Sequence, residues 1–122
     1  MTRILLVDDS AAVRAALREL LTQTFPGAVV DEADAAETAL AAIGRAPWDL
    51  VMLDLSLPDR AGLDTLREIR RRAPAVPVVV MSLHAEADYR PAMRASGATD
   101  YVSKASPAPA IAAAIRAALG VG

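Results

Sequence analysis

Three short apolar runs in this chain each end on a polar or charged residue, and a weaker fourth leads to a lysine. Ile4-Leu5-Leu6-Val7 runs into Asp8-Asp9, Leu50-Val51-Met52-Leu53 into Asp54, and Val78-Val79-Val80-Met81 into Ser82. Tyr101-Val102 leads through Ser103 to Lys104. Apolar runs without alternation are what strands buried on both faces look like. If these are neighbours in one parallel sheet, their C-terminal ends meet at one edge, where open α/β sheets place their sites. That edge then gathers three carboxylates, one hydroxyl and one ammonium.

Repulsion decides how such a cluster is read. Two carboxylates about 4 Å apart repel by roughly 4 kcal/mol at an effective dielectric near 20. A third in the same pocket demands a cation or bound protons, and Lys104 brings only one positive charge. Oxygen donors without His or Cys favour a hard divalent ion. Mg2+ in particular binds through one or two carboxylates together with phosphate oxygens. The residues thus describe a place where Mg2+, a carboxylate and a phosphoryl group meet.

The rest of the chain supports an α/β domain. A length of 122 residues reads as one domain, 1–122, with no second one expected. Apolar runs alternate with helical patterns. Strands are expected at 3–7, 28–32, 49–53, 78–81 and 99–102. Ser10 is set to cap a helix reaching Thr24, with Val13, Leu17, Leu20 and Leu21 on one face. Further helices are expected over 35–45, 64–72, within 86–96, and from Pro107, with Ser106 as cap. Pro91 fits the fourth helix only in a first turn, so that helix should start late, near Tyr89, capped by Asp88. The charges of the third helix, Arg67, Glu68, Arg70, Arg71 and Arg72, read as a solvated face. Trp48 should pack at the bottom of the sheet.

Composition excludes several classes. A net charge of -2 leaves no electrostatic footprint for nucleic acid. With no cysteine there is no thiol or disulfide chemistry, which fits the cytoplasm. No run approaches the length of a membrane span.

The acidic pair Asp8-Asp9, Asp54 followed by Pro58 and Gly62, Ser82, and the stretch Gly97-Ala98-Thr99-Asp100-Tyr101-Val102-Ser103-Lys104 resemble the receiver domain of two-component response regulators. The resemblance covers essentially the whole chain. Met81-Ser82-Leu83-His84 and the Gly-Ala-x-x-Tyr-Val-x-Lys ending are similar to receivers of the LuxR/FixJ-like (NarL-type) group. It implies a doubly wound, flavodoxin-like (βα)5 fold with five parallel strands in the order 2-1-3-4-5. It also implies phosphorylation of Asp54 by a sensor histidine kinase or phosphotransfer protein, Mg2+ (or Mn2+) as cofactor, and a conformational switch controlling an output such as transcription.

Carried over position by position, Asp9 and Asp54 bind the metal directly, Asp8 partly through water, and the Ser56 backbone carbonyl completes the protein ligands. Lys104 pairs with Asp54 and then with a phosphoryl oxygen. Ser82 and the Leu83 N–H contact the phosphoryl group, and Tyr101 turns inward as Ser82 moves. Ser56 and His84 flank the approach of the hydrolytic water and modulate dephosphorylation. Family receivers often have a proline after the lysine, in a cis peptide; Ala105 stands here, so a trans Lys104–Ala105 bond is expected. A fifth helix with Arg116 as its only charge hints at a homodimer through helix four, strand five and helix five.

Three rival readings are weaker. A haloacid-dehalogenase-like phosphatase needs a second Asp two residues after the nucleophile, where Ser56 stands. A flavodoxin-like cofactor binder needs a phosphate loop after the first strand, where Asp8-Asp9 would repel phosphate. A degenerate receiver acting only as a binding module leaves the intact acidic residues and Lys104 unexplained.

Overall fold

The computed structural model describes residues 2–82 and 90–120. Their elements alternate as β1 (Arg3–Val7), α1 (Ala11–Thr24), β2 (Val29–Ala33), α2 (Ala36–Ile43), β3 (Leu50–Asp54), α3 (Gly62–Arg72), β4 (Val78–Ser82), α4 (Arg90–Ala95), β5 (Asp100–Ser103) and α5 (Ala108–Leu119). All strand pairs are parallel, and the sheet order is β2-β1-β3-β4-β5. This is the expected doubly wound fold. Among the described residues, no helix is long and apolar enough to cross a membrane.

The pleat sorts the strand residues between two cores, because successive side chains point to opposite faces. Leu5, Val7, Val51, Leu53, Val78 and Val80 pack with α2, α3 and α4 through Leu40, Leu66, Ile69 and Met93. Ile4, Leu6, Leu50, Met52, Val79 and Met81 pack with α1 and α5 through Leu17, Leu21, Ile111 and Ile115. The central strands are therefore buried on both sides, which is why they carry no polar alternation. Trp48 joins the first core at the sheet's lower end, and its Nε1 donates to the Ala42 carbonyl at 3.0 Å.

Several boundaries move by a residue or more. β3 and β4 run on to include Asp54 and Ser82, because ladder bonds continue past the last apolar residue; Leu55 N–H donates to the Met81 carbonyl at 3.3 Å. Pro107 has an extended ψ of 150° and its carbonyl accepts the Ile111 N–H at 3.2 Å. Pro107 is thus the cap of α5 in place of Ser106, and Pro109 falls in the first turn, where a missing N–H has no intrahelical partner to lose. Pro91 likewise lies in the first turn of the described part of α4. Asp88 and Tyr89, read as that helix's start, lie outside the described residues. There is no cis peptide among the described residues, so Lys104–Ala105 is trans.

Arg70 corrects the reading of α3 as a uniformly solvated face. Its guanidinium donates to the Gly97 carbonyl at 2.7 and 3.1 Å and to the Pro74 and Val76 carbonyls at 2.9 and 2.6 Å. It ties the end of α3 to the turns that enter β4 and β5. Gly97 has a φ of +110°, and a Cβ there would lie 2.9 Å from Arg70 Cγ; only glycine lets the stem pass. Arg71 differs: among the described residues it pairs with Glu68 alone, and its side chain is 69% exposed. Arg70→Met is expected to destabilise the domain by about 2 kcal/mol, since several carbonyls lose a charged donor. Arg71→Met should stay within about 0.5 kcal/mol, and urea midpoints of the two variants check the contrast.

Candidate functional site

Period-2 geometry builds the site. Asp8, Asp54 and Lys104 each lie two residues beyond a side chain of the α1–α5 core: Leu6, Met52 and Val102. They emerge on the same side of the sheet, one pleat above that core. Asp8 is fully buried and Asp54 is 1% exposed, whereas Asp9 is exposed. Carboxylate oxygens of all three lie within 4.8 Å of one another.

Each buried carboxylate has one oxygen held by its own loop. Asp8 Oδ1 accepts the Ser10 N–H at 2.8 Å, and Asp54 Oδ1 accepts the Ser56 N–H at 2.9 Å. The other oxygens face the lysine: Lys104 Nζ lies 2.6 Å from Asp8 Oδ2 and 3.1 Å from Asp54 Oδ2. Apart from Lys104, neither Oδ2 has a hydrogen-bond partner among the described residues. The lysine expected to face Asp54 thus bridges both aspartates and sits closer to Asp8. Burial pulls the Lys104 pKa down, but the adjoining Asp8 and Asp54 carboxylates outweigh it and raise it above the ordinary lysine value.

The donor set fits a hard divalent cation. It is oxygen-only, and two buried carboxylate oxygens have Lys104 as their only partner among the described residues. Asp8, Asp9 and Asp54 carry three negative charges against the single charge of Lys104. Mg2+ suits such ligands in place of a fourth protein group.

Ser82 is buried at the end of β4, one residue past the partner of Asp54 in the ladder. Its carbonyl accepts the Lys104 N–H at 2.8 Å, which locks the base of the lysine to β4. Tyr101 is half-buried on β5 with the Arg90 guanidinium 5.3 Å from its ring. Ser56 is exposed. Leu83 and His84 lie outside the described residues.

Arg14 is a site neighbour that sequence reasoning missed. Its Nη1 donates to the Asp8 carbonyl at 2.6 Å, and its Nε to Glu32 at 2.8 Å. Arg18 also pairs with Glu32; hydrogen bonds from Arg18 and then Arg14 hold that carboxyl below its usual range. The available signal was a cation in the first turn of α1, where the helix dipole disfavours one.

The chain matches the family model of the response regulator receiver domain over residues 4–116, and it belongs to that family. It is 37% identical over 110 residues to the glycerol metabolism activator of Pseudomonas putida, covering 88% of this chain and 49% of that protein. It is 33% identical over 116 residues to the response regulator UvrY of Escherichia coli (strain K12), covering 95% of this chain and 53% of that protein. A solved two-component response regulator of the LuxR family, from Aurantimonas sp. SI85-9A1, superposes with a TM-score of 0.90 at 33% identity. That match covers 98% of this chain and 86% of the other. The LuxR/FixJ-like resemblance is thereby borne out. This chain spans about half the length of the curated relatives it matches.

Lys104→Met, measured without metal, is expected to destabilise the domain by about 3 kcal/mol, because two buried carboxylates lose their cation. The sign with pH follows from the raised pKa. The Lys104 contribution is complete below the ordinary lysine value of about 10.4 and is lost as pH rises through the higher folded value. The stability gap between wild type and variant should hold to about pH 10 and shrink above it, as followed by urea unfolding.

Proposed function

We propose that this domain is a phosphorylation-controlled switch in which Asp54 accepts a phosphoryl group from the phosphohistidine of a sensor kinase or phosphotransfer protein. One observation carries the reading: Asp54 is buried, with one oxygen held by the Ser56 N–H and the other facing Lys104 Nζ at 3.1 Å. That oxygen, with Lys104 as its cationic partner, is the one placed to act as a nucleophile. In transfer, it forms a bond to phosphorus, the phosphorus–nitrogen bond of phosphohistidine breaks, and the imidazole leaves with the bonding pair. Phosphoryl transfer asks little covalent chemistry of the protein; alignment and charge neutralisation supply most of it.

Lys104 neutralises Asp54 and Asp8 before transfer and a phosphoryl oxygen after it. Asp8, Asp9, Asp54 and the Ser56 carbonyl would hold Mg2+ or Mn2+. When bound, the metal offsets negative charge on the incoming phosphoryl oxygens. Ser82, buried one residue past the ladder partner of Asp54, is suited to donate its hydroxyl to the phosphoryl group. Its movement would release space for Tyr101, whose ring now carries Arg90 above it. The single hydroxyl-bearing Ser56 in place of a second aspartate argues against a phosphatase of the haloacid-dehalogenase type. Self-association through α4, β5 and α5 is supported by the exposed Ala108, Ala110, Ala113 and Ala117 of α5.

A small phosphodonor with Mg2+ should add one phosphoryl group to the wild type and none to Asp54→Asn, as read by intact mass. Equal uptake by the two proteins would sink the site assignment. Beryllofluoride with Mg2+, an acyl-phosphate mimic, should shift the same wild-type samples toward dimer in sedimentation; a monomer throughout removes the self-association reading.

A further inference from the structure

The loop between β3 and α3 has no regular structure over 55–61, yet it is anchored at three points. At its start, the Ser56 N–H is held by Asp54 Oδ1 at 2.9 Å. At its end, Gly62 lies so close that a Cβ would sit 2.4 Å from the Leu55 carbonyl oxygen, so the loop closes on its own first residue. Between them, Asp59 reaches another element. Its Oδ1 accepts the Ala36 N–H at 2.8 Å and its Oδ2 accepts the Glu37 N–H at 3.0 Å. These are the first two amides of α2, and its own cap residue, Ala35, has no side-chain acceptor.

A helix N-terminus leaves its first amides without partners, and a carboxylate there is favoured by both hydrogen bonding and the dipole. Locally, Thr38 Oγ1 accepts only the Ala35 N–H at 3.2 Å, and the loop 23 residues away in sequence supplies the acceptor for the first two helical amides. The bonds lower the Asp59 pKa below the usual carboxylate range, the Ala36 N–H first and the Glu37 N–H second, so the carboxylate is charged throughout the neutral range. Both partners gain: α2 acquires a cap, and the loop acquires a fixed point three residues after Ser56.

We infer that Asp59 is a positioning residue for the metal and phosphoryl site, clamping the loop after Asp54 onto α2 so that the Ser56 carbonyl is held where the cation needs it. The inference rests on the proposed role of Ser56. A ligand supplied by an irregular loop is only as well placed as the loop, and supports behind metal ligands govern affinity.

Asp59 does two jobs, and two variants separate them. Asp59→Ala removes both the cap and the clamp. Ala35→Ser combined with Asp59→Ala restores a cap from the usual position, since Ala35 already has extended cap geometry at φ -153° and ψ 165°, but it leaves the loop untethered. Calorimetric titration with Mg2+ and metal-free amide exchange over 55–61 are the readouts, with urea unfolding alongside.

Asp59→Ala should lose stability, exchange faster over 55–61, and bind Mg2+ about tenfold more weakly. The double variant should recover stability while keeping the weak Mg2+ binding and fast exchange. Wild-type Mg2+ affinity in Asp59→Ala, or its recovery in the double variant, would overturn the inference. Asp9→Asn separates this from the site itself. If Asp9→Asn abolishes Mg2+ binding while Asp59→Ala binds normally, only the clamp is wrong. If the wild type binds no Mg2+, both fall.

Discussion

The interaction on which this domain is organised is the ion pairing of one half-buried lysine with two buried aspartates. Lys104 neutralises one charge of a cluster that carries three. Charges removed from water are tolerated only when paired and hydrogen-bonded, and here one oxygen of each buried aspartate is met by Lys104 alone among the described residues. The remaining deficit is arranged by the fold. Three strands of one sheet deliver the groups to one edge, and the pleat turns them to the same side. A site left short of positive charge is suited to a divalent cation and then to a phosphoryl group, the chemistry proposed for it above.

The scaffold around that edge is tied by side chains acting over long sequence distances. Arg70 joins α3 to the turns before β4 and β5. Arg14 links the Asp8 carbonyl to Glu32 on β2. Asp59 joins the loop after β3 to α2. Each replaces a backbone partner that local structure does not supply. Rigidity at the site thus comes from a few charged side chains bonded to main-chain groups, with apolar packing fixing only the sheet and helices below.

The parts of this structure that were readable from the chain are those governed by short-range rules. Unbroken apolar runs marked the buried strands, and the polar residue ending each run marked the site edge. Ser10 capped α1 as its residue type suggests, with the Val13 N–H 3.3 Å from its Oγ. The unread parts depend on contacts between elements. Arg70 looked like one of several solvated charges because nothing local distinguishes it from Arg71; only the proximity of Gly97 does. Asp59 carries no local signal of its role, since a cap is ordinarily sought next to its helix. The Asp8–Lys104 pair is not legible in the chain because period-2 spacing fixes the face of a side chain and leaves its closest partner open.

Stability as a function of Mg2+ tests most directly whether the charge deficit is reserved for a dication. Urea unfolding of the wild type and of Asp9→Asn/Asp54→Asn would be followed in chelator and in excess Mg2+. The wild type should gain about 2.7 kcal/mol when Mg2+ reaches a hundredfold its Kd. The double variant, relieved of repulsion, should be more stable than the wild type in chelator and indifferent to Mg2+. A wild type that ignores Mg2+, together with a variant that is less stable in chelator, would contradict the account.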